Sequence, residues 1–212
     1  MHFLEKELWF PSSSLATEEG LLAVGGDLSS PRLLLAYNSG IFPWYEAGQP
    51  ILWWSPDPRM VLFPEKFKVS KSLRKILKSR KFRITFNKNF SGVIKNCATV
   101  PRKGQTGTWI TREMQEAYTA LHELGHAVSV EVWEHDKLVG GLYGIDLPEK
   151  KIFCGESMFS LVSEASKAAL FHLMEYVKSK NYKCIDCQIY NAHLESLGAE
   201  EMERNRFLEF LR

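Results

Sequence analysis

Apolar positions along this chain follow one pattern up to about residue 62 and a different pattern after it. Before it, apolar residues are interrupted by Gly, Pro and Trp, and one short helix is well defined, with Ser30 as its cap, Pro31 in its first turn and Gly40 at its end. After it, longer periodic segments predict regular helices and strands. We therefore expect a small, loop-rich N-terminal domain over residues 1–62 and a larger domain over residues 63–212.

The larger domain has the pattern of a sheet covered by helices. Apolar residues recur at helical spacing after Ser70, after Thr111 and after Ser163. Alternating or short apolar runs predict strands over residues 82–86, 128–133, 138–143, 152–158 and 182–190. This order predicts an α/β (α+β) fold with a mixed sheet flanked by helices, and it is similar to the acyltransferase fold called GNAT.

One feature of acetyl-CoA-dependent GNAT enzymes is not evident. Such enzymes bind pyrophosphate on a Gly-rich loop that opens a helix. The candidate loop here, residues 140–144 (GGLYG), lies between predicted strands instead. We therefore expect no coenzyme A site at this segment.

Charges are divided unevenly along the chain. Residues 66–103 contain thirteen Lys or Arg and no acid, which leaves 14 basic against 25 acidic residues elsewhere. Such a segment is typical of a surface that contacts the phosphate backbone of a nucleic acid, although a solvated basic face is the alternative. Because the segment is long, free of acids and partly helical, we favour nucleic acid binding.

Neither a membrane protein nor a metalloprotein is expected. No apolar run approaches the roughly 20 residues of a membrane-spanning helix, and the acidic start is unlike a secretory signal, so we expect a cytoplasmic protein. Cys184 and Cys187 lie three apart on a predicted strand and point to opposite faces, so they cannot share a metal ion. The histidines form no ligand cluster. We expect structural cysteines and no metal.

Two polar residues interrupt the apolar strand predicted over residues 182–190. Asp186 and Gln188 lie two apart and are expected to share a face, with Ile185, Cys187 and Ile189 facing the core on the other side. A buried acid is costly unless it is paired or used. Asp186 either ends the strand and caps a neighbour, or orients a reacting group beside Gln188; the pattern leaves both open.

Further candidates lie in turns. Glu156, between a predicted strand and a predicted helix, is either a turn carboxylate in water or a buried acid that binds a cationic substrate. Trp44 and Trp109 adjoin turns, and Trp109 is close to the basic segment. Most such aromatics belong to the core, but one beside a basic surface can stack an unpaired base.

Several motifs, in order along nearly the whole chain, resemble the leucyl/phenylalanyl-tRNA–protein transferase family of bacteria. Each is several residues long, so chance is a poor explanation. Leu142, Leu173 and Val177 are mild departures from the residues expected there. The matching segments are GLLAVGGDLSSPRLLLAYNSGIFPWY (20–45), ILWWSPDPR (51–59), GTWIT (107–111), AYTALHELGHAVSVEVW (117–133), LVGGLYG (138–144), FCGESMFS (153–160), ASKAAL (165–170), IDCQ (185–188) and HLESLGA (193–199).

The resemblance implies a specific activity. Members of the family move Leu or Phe, and sometimes Met, from aminoacyl-tRNA to the N-terminal amine of proteins that begin with Arg or Lys, which marks them for degradation by the N-end rule. The family combines a small N-terminal domain with a GNAT-like domain that uses no coenzyme A. Because the donor is an activated ester, amide formation by an amine needs no ATP, metal or cofactor, and positioning with general base catalysis is sufficient. The alternative is that a hydroxyl of the tRNA's own terminal adenosine carries the proton.

The resemblance also implies residue roles. Asp186 and Gln188 are the expected catalytic pair, with Glu156 beside them. From its charge and its position we further expect Glu156 to bind the cation of the acceptor, a duty that Asp186 can share. Trp44 and Trp109 are expected to hold the terminal adenine. The donor side chain is expected to meet Leu142, Phe153, Gly155, Met158, Leu173, Val177 and Ile185.

A basic helix and the residues that follow it are the expected tRNA contact. They carry no nearby acid in the sequence, so their charges should be free to meet phosphates. The residues concerned are Lys71, Arg74, Lys75, Lys78, Arg80 and Lys81.

Two other functions stay open at this point. One is an acetyl-CoA-dependent acyltransferase on the same fold, which the missing pyrophosphate loop disfavours. The other is an RNA-binding module without enzymatic activity, which explains the basic segment but leaves Glu156, Asp186 and Gln188 without a role.

Overall fold

A computed structural model of the chain describes residues 2–100 and 108–212. In these ranges the strands form two β-sheets, and all helices but the last lie between strands in sequence. The helices are α1 Ser30–Asn38, α2 Lys71–Ser79, α3 Phe90–Thr99, α4 Arg112–Glu123, α5 Ala165–Ser179, α6 Ala192–Ser196 and α7 Arg204–Glu209. The strands are β1 His2–Leu4, β2 Leu21–Gly25, β3 Phe42–Pro43, β4 Leu52–Trp54, β5 Arg59–Leu62, β6 Arg83–Phe86, β7 Ala127–Glu134, β8 Lys137–Leu147, β9 Ile152–Ser160, β10 Cys184–Gln188 and β11 Glu200–Met202.

The larger sheet has seven strands in the order β11-β5-β10-β9-β8-β7-β6, and the smaller has four in the order β1-β2-β4-β3. In the larger sheet β9 and β10 run parallel, whereas the other neighbours are antiparallel. The predicted fold class, an α/β arrangement with a mixed sheet flanked by helices, is confirmed. No helix in the described ranges is long and apolar enough to cross a membrane.

Helices cover both faces of the larger sheet. Helix α5 packs on β7, β8 and β9 from one side, where Leu142, Phe153 and Leu173 belong to a buried cluster. Helices α3 and α4 pack on the other side, in a second cluster that also includes Trp53 of the small sheet. Gly140 allows α5 to approach β8, since a Cβ there would lie 2.6 Å from the Cβ of Ala165.

The predicted strands and helices of the larger domain are present, with shifted bounds. The hairpin strand predicted over residues 138–143 extends to Leu147, and the strand predicted over 182–190 ends at Gln188. Helix α3 was not predicted. Its signals were present, because Asn89 caps it and Phe90, Val93, Ile94 and Cys97 form its buried face.

Strand β5 lies just before the predicted domain boundary, yet it belongs to the larger sheet. It pairs with β10 on one side and β11 on the other. Arg59 is therefore carried by the large sheet, although the preceding strand β4 belongs to the small one. The division into residues 1–62 and 63–212 stays a prediction.

Candidate active site

An apolar cavity of about 90 Å³ opens between the large sheet, α5 and α6. Backbone pairing between the parallel strands β9 and β10 ends at Cys154 and Asp186, and the cavity lies beside that end. The absence of a side chain at Gly144 leaves room for the ring of Phe153, because a Cβ there would lie 2.5 Å from the ring. The lining residues are Leu62, Leu142, Tyr143, Phe153, Gly155, Glu156, Ser157, Met158, Leu170, Leu173, Ile185, Cys187 and Leu194.

Two β-bulges aim polar groups at this place. On β9, Gly155 and Ser157 oppose consecutive residues of β8, so Glu156 between them is an additional residue without a partner on β8. On β10, Asp186 and Gln188 oppose consecutive residues of β5, so Cys187 is the additional residue there. A bulge re-aims side chains and is common beside active sites. Here the two bulges bring Glu156 and Gln188 together.

Both oxygens of the Glu156 carboxylate are hydrogen bonded. Gln188 Nε2 donates to Oε1 at 3.0 Å, and the hydroxyl of Tyr118 donates to Oε2 at 3.1 Å. The Tyr118 hydroxyl is also hydrogen bonded to the hydroxyl of Tyr37, so α1, α4, β9 and β10 all meet at this acid. Neither tyrosine was predicted to belong to the site, because the sequence pattern indicates a core position on a helix for both.

The Glu156 carboxyl group has an unusual acidity. Burial raises its pKa from 4.5 to about 7, and the nearby charge of Asp186 adds to the rise, while hydrogen bonds from the two tyrosines and the charge of Arg59 oppose it. Near pH 7 a substantial fraction of the group is therefore ionised and able to accept a proton. A pKa close to the working pH suits a general base.

This acidity predicts how stability depends on pH. The folded chain keeps the Glu156 proton up to about pH 7, whereas an unfolded glutamate loses it near 4.5, so the folded state binds more protons between these values. The free energy of unfolding should therefore fall as pH rises from about 4.5 to 7. Glu156→Gln has no carboxyl proton to lose, so its free energy of unfolding should not fall in this way. Above pH 7 the variant should be more stable than the wild type by roughly 1–3 kcal/mol. Thermal unfolding at several pH values measures the difference, which should shrink toward pH 4.5.

Asp186 is paired with Arg59 and does not line the cavity. Arg59 Nε and Nη2 donate to its two carboxylate oxygens at 2.8 and 2.7 Å, and both side chains are about 1% exposed. The backbone N–H of Gln188 donates to Asp186 Oδ1 at 3.0 Å. The expectation that Asp186 and Gln188 share a strand face is wrong, because the bulge at Cys187 breaks the two-residue alternation.

The opposite face of that strand also departs from expectation. Ile185 is buried and lines the cavity with the half-buried Cys187, whereas Ile189 is 38% exposed and does not belong to the core. Arg59 was missed altogether. Its signal was the single charge in the apolar run of residues 59–63, which is costly unless a partner is present.

Most of the residues expected around the donor side chain line one cavity. They are Leu142, Phe153, Gly155, Met158, Leu173 and Ile185. Val177 is not among the lining residues, since it is fully buried in the cluster between α5 and the sheet. Leu62, Leu170 and Leu194 line the cavity without having been predicted.

Trp44 and Trp109 lie away from the cavity lining. Trp44 is 42% exposed beside Trp54, with ring centroids 5.6 Å apart, and the Trp54 indole N–H donates to its carbonyl oxygen. Trp109 is half-buried against the cluster that joins α3, α4 and the small sheet. Their contact with an adenine stays a prediction.

The basic residues expected to bind tRNA are exposed. Lys71, Arg74, Lys75 and Lys78 lie on α2, which contacts α5 and buries Leu73. The left-handed Arg80 and the following Lys81 are also exposed. The expectation that no acid lies near is wrong for Lys81, whose Nζ is 3.3 Å from Glu134. Residues 101–103, the end of the basic segment, lie outside the described ranges.

The described residues contain no group of three or more His, Cys, Asp or Glu side chains that could hold a metal ion. All four cysteines are free thiols, and burial raises the pKa of Cys154 and Cys187 well above the ordinary value.

Sequence comparisons identify relatives over the full length of the chain. The family profile described as leucyl/phenylalanyl-tRNA protein transferase matches residues 61–212, and the profile of that family's N-terminal domain matches residues 26–57. A leucyl/phenylalanyl-tRNA–protein transferase of Flavobacterium johnsoniae is 59% identical over 212 residues, 100% of this chain and 99% of that protein. The protein of the same name from Flavobacterium psychrophilum is 58% identical over 100% of both chains.

Among solved structures, the likeness is weaker. A GCN5-related glucosamine N-acetyltransferase region of a fungal multi-domain β-N-acetylglucosaminidase superposes with a TM-score of 0.45 and 10% identity. The superposition covers 85% of this chain and 23% of that chain. At this level the likeness carries no argument about function.

Proposed function

Because the chain belongs to the leucyl/phenylalanyl-tRNA–protein transferase family, we propose that it transfers leucine or phenylalanine from aminoacyl-tRNA to the N-terminal amine of proteins that begin with Arg or Lys. The observation that carries this proposal is an apolar cavity with a carboxyl group of pKa about 7 in its wall. Such a product carries Leu or Phe at its N-terminus, which is the signal of the N-end rule, and we place the reaction in the cytoplasm.

The cavity supports an apolar donor. Its described lining is aliphatic, aromatic or sulfur-containing apart from Gly155, Glu156, Ser157 and the hydroxyl of Tyr143. Complete burial of a Leu or Phe side chain is worth about 1.5–3 kcal/mol. A polar donor side chain would gain less and would leave its own polar groups without partners.

The reaction requires one bond to form, one to break and one proton to move. The neutral α-amine attacks the ester carbonyl carbon, the C–N bond forms, and the C–O bond to the ribose breaks. An α-amine has a pKa of about 7.7–8.0, so part of it is neutral near pH 7. Glu156 takes the proton that the amine loses and returns it to the departing ribose oxygen.

The neighbouring groups assist this acid. The amide of Gln188 and the hydroxyl of Tyr118 fix the direction of the Glu156 carboxylate. Asp186, held by Arg59, orients the Gln188 backbone and does not itself receive the proton. The chain would need no metal or nucleotide for this step, because the ester is already activated.

The acceptor brings positive charge to the same place. Glu156 is the single acid among the described residues that line the cavity, and a partly dry carboxylate discriminates between charged and neutral partners more strongly than a general negative field does. We assign Glu156 to the α-amino group of the acceptor, from which it takes the proton. Its contact with the Arg or Lys side chain remains a prediction that the acceptor KM of Glu156→Gln tests.

The basic surface of α2 is our proposed tRNA contact. Replacing Lys71, Lys75 and Lys78 with Ala should weaken every aminoacyl-tRNA alike and lower the slope of log K against log salt by up to about three, since each phosphate contact contributes about one. Binding measured at several salt concentrations gives the slope.

A matched control uses three other lysines. Replacing Lys6, Lys150 and Lys180, which lie outside the basic segment, removes the same charge and should leave the slope nearly unchanged. If the α2 variant keeps the wild-type slope, the tRNA binds elsewhere.

One assay tests the proposed function as a whole. The protein is incubated with labelled Phe-tRNA and a peptide that begins with Arg, and transfer of label to the peptide is measured. Omitting ATP should not affect transfer, and acetyl-CoA should not replace the tRNA. Absence of transfer together with binding and use of acetyl-CoA would identify an acetyltransferase instead, and tRNA binding without transfer would identify a binding module.

A further inference from the structure

Arg59 joins three parts of the molecule in a dry environment. Its guanidinium donates to both oxygens of Asp186 on β10 and to the carbonyl oxygen of Gly40, which follows α1, at 3.0 Å. The ring centroids of Phe42 and Phe207 lie 4.9 and 4.8 Å from its central carbon. One side chain thus connects β5 with the small sheet, the bulged strand β10 and helix α7.

The ion pair continues toward the cavity. Asp186 Oδ1, which accepts from Arg59 Nε, also accepts the backbone N–H of Gln188 at 3.0 Å. Gln188 has φ of +60°, a conformation that residues other than Gly rarely adopt. Such a conformation persists where its surroundings hold it. From it, the Gln188 amide reaches Glu156 Oε1.

We propose that Arg59 is a positioning residue for aminoacyl transfer, acting through Asp186 and the Gln188 backbone on the direction of the Gln188 amide and hence of Glu156. This inference rests on the proposed function. Arg59 does not touch the cavity, since it is absent from its lining and about 1% exposed. Its effect on the reaction is therefore transmitted through the hydrogen bonds of Asp186 and Gln188.

A purely structural role would have a different consequence. A buried ion pair is by itself weak evidence for stability, because the cost of removing two charges from water offsets their attraction. If Arg59 served only to hold the fold, its replacement would lower stability without acting through Gln188. A positioning role requires that its effect on turnover disappear when the Gln188 amide is absent.

A double-mutant cycle of Arg59→Lys and Gln188→Ala tests this requirement. Arg59→Lys keeps the charge but loses the paired donors, so kcat should fall by about 10²-fold, as expected for a misplaced catalytic group. Gln188→Ala should produce a loss of similar size. Together they should lower kcat no further than the larger single loss, because both interrupt the same connection. Dissociation constants for Phe-tRNA should stay near the wild-type value in all three variants.

Arg32→Lys is the matched control. Arg32 is equally buried, and its Nη2 donates to the carbonyl oxygens of Glu5 and Glu7, away from the cavity. Its replacement should lower the melting temperature, leave kcat near the wild-type value and add independently to Gln188→Ala. A multiplicative loss in the Arg59–Gln188 cycle, or an unchanged kcat in Arg59→Lys, overturns the inference.

Two further outcomes are distinguishable. If Arg59→Lys does not fold, Phe207→Leu replaces it in the cycle, because this variant removes one aromatic ring beside Arg59 and keeps both charges of the ion pair. A loss of kcat that is coupled to Gln188 supports the inference. An uncoupled loss, or no loss, overturns it. If the wild type transfers no Phe to an Arg-starting peptide, the proposed function fails, whereas wild-type transfer with an additive cycle refutes only the role of Arg59.

Discussion

Replacing Glu156 with Gln is expected to lower the rate of aminoacyl transfer by about 10²- to 10⁴-fold, the usual contribution of a general base. Gln keeps the shape and can still accept from Gln188 and exchange a hydrogen bond with Tyr118, but it cannot take a proton. Single-turnover transfer of Phe from preloaded tRNA measures the effect. Binding of Phe-tRNA should change little, because the lost charge meets the acceptor and not the donor.

The pH profile provides a second readout of the same change. In the wild type, kcat should rise with pH through about 7, where Glu156 ionises. The variant should lose that rise and keep only the dependence that comes from the acceptor amine near 7.7–8.0.

Asp146→Asn is the matched control for this acid. Asp146 is also partly buried, with a pKa that burial raises, but it accepts from the Tyr182 hydroxyl and does not line the cavity. Its replacement should leave transfer nearly unchanged. If Glu156→Gln turns over at the wild-type rate, Glu156 is not the base, and the proton passes instead through a hydroxyl of the tRNA's terminal adenosine.

Replacing Met158 with Glu is expected to reduce transfer of Phe by at least ~10²-fold. Met158 lines the cavity opposite Leu142 on the neighbouring strand, so the new carboxylate would take the place of an apolar wall. The donor side chain would lose burial worth about 1.5–3 kcal/mol, and about 1.4 kcal/mol corresponds to tenfold in affinity. The charge, left without a partner, adds to this loss.

The measurement compares kcat/KM for Phe-tRNA in three proteins. Met158→Leu keeps the apolar character and roughly the volume, so it should stay within a few fold of the wild type. The Glu variant should unfold close to the wild-type temperature, because Met158 lies at the partly exposed wall of the cavity. If the wild type used Ser-tRNA as well as Phe-tRNA, the cavity would not be what selects the donor.

Regular elements were predictable because their information is local. Thr111 accepts from the Met114 N–H as the cap of α4, and Ser70 accepts from the Leu73 N–H at the start of α2. The periods of two and 3.6 residues identified the strands β6 to β10 of the larger sheet and the helices α4 and α5 that cover it, but not β5, β11 or α3. The apolar residues around the cavity also followed from resemblance, since six of them lie in motif segments or one helix turn away.

The arrangement of the site was not local. A bulge is an insertion relative to a partner strand, so no pattern within 155–157 or 186–188 reveals that Glu156 and Cys187 are the additional residues. The alternation that predicted a shared face for Asp186 and Gln188 holds only for a regular ladder.

The sequence by itself determined the chemistry available to this protein: an apolar set for the donor, a carboxylate and an amide near it, and an acid-free basic helix. Only the tertiary structure decided which groups meet. Arg59 and Asp186 are 127 positions apart, and Tyr118 is 38 positions from Glu156. Pairing over such separations depends on which strands and helices pack together, and the same packing excludes the water that would otherwise keep the Glu156 pKa near 4.5.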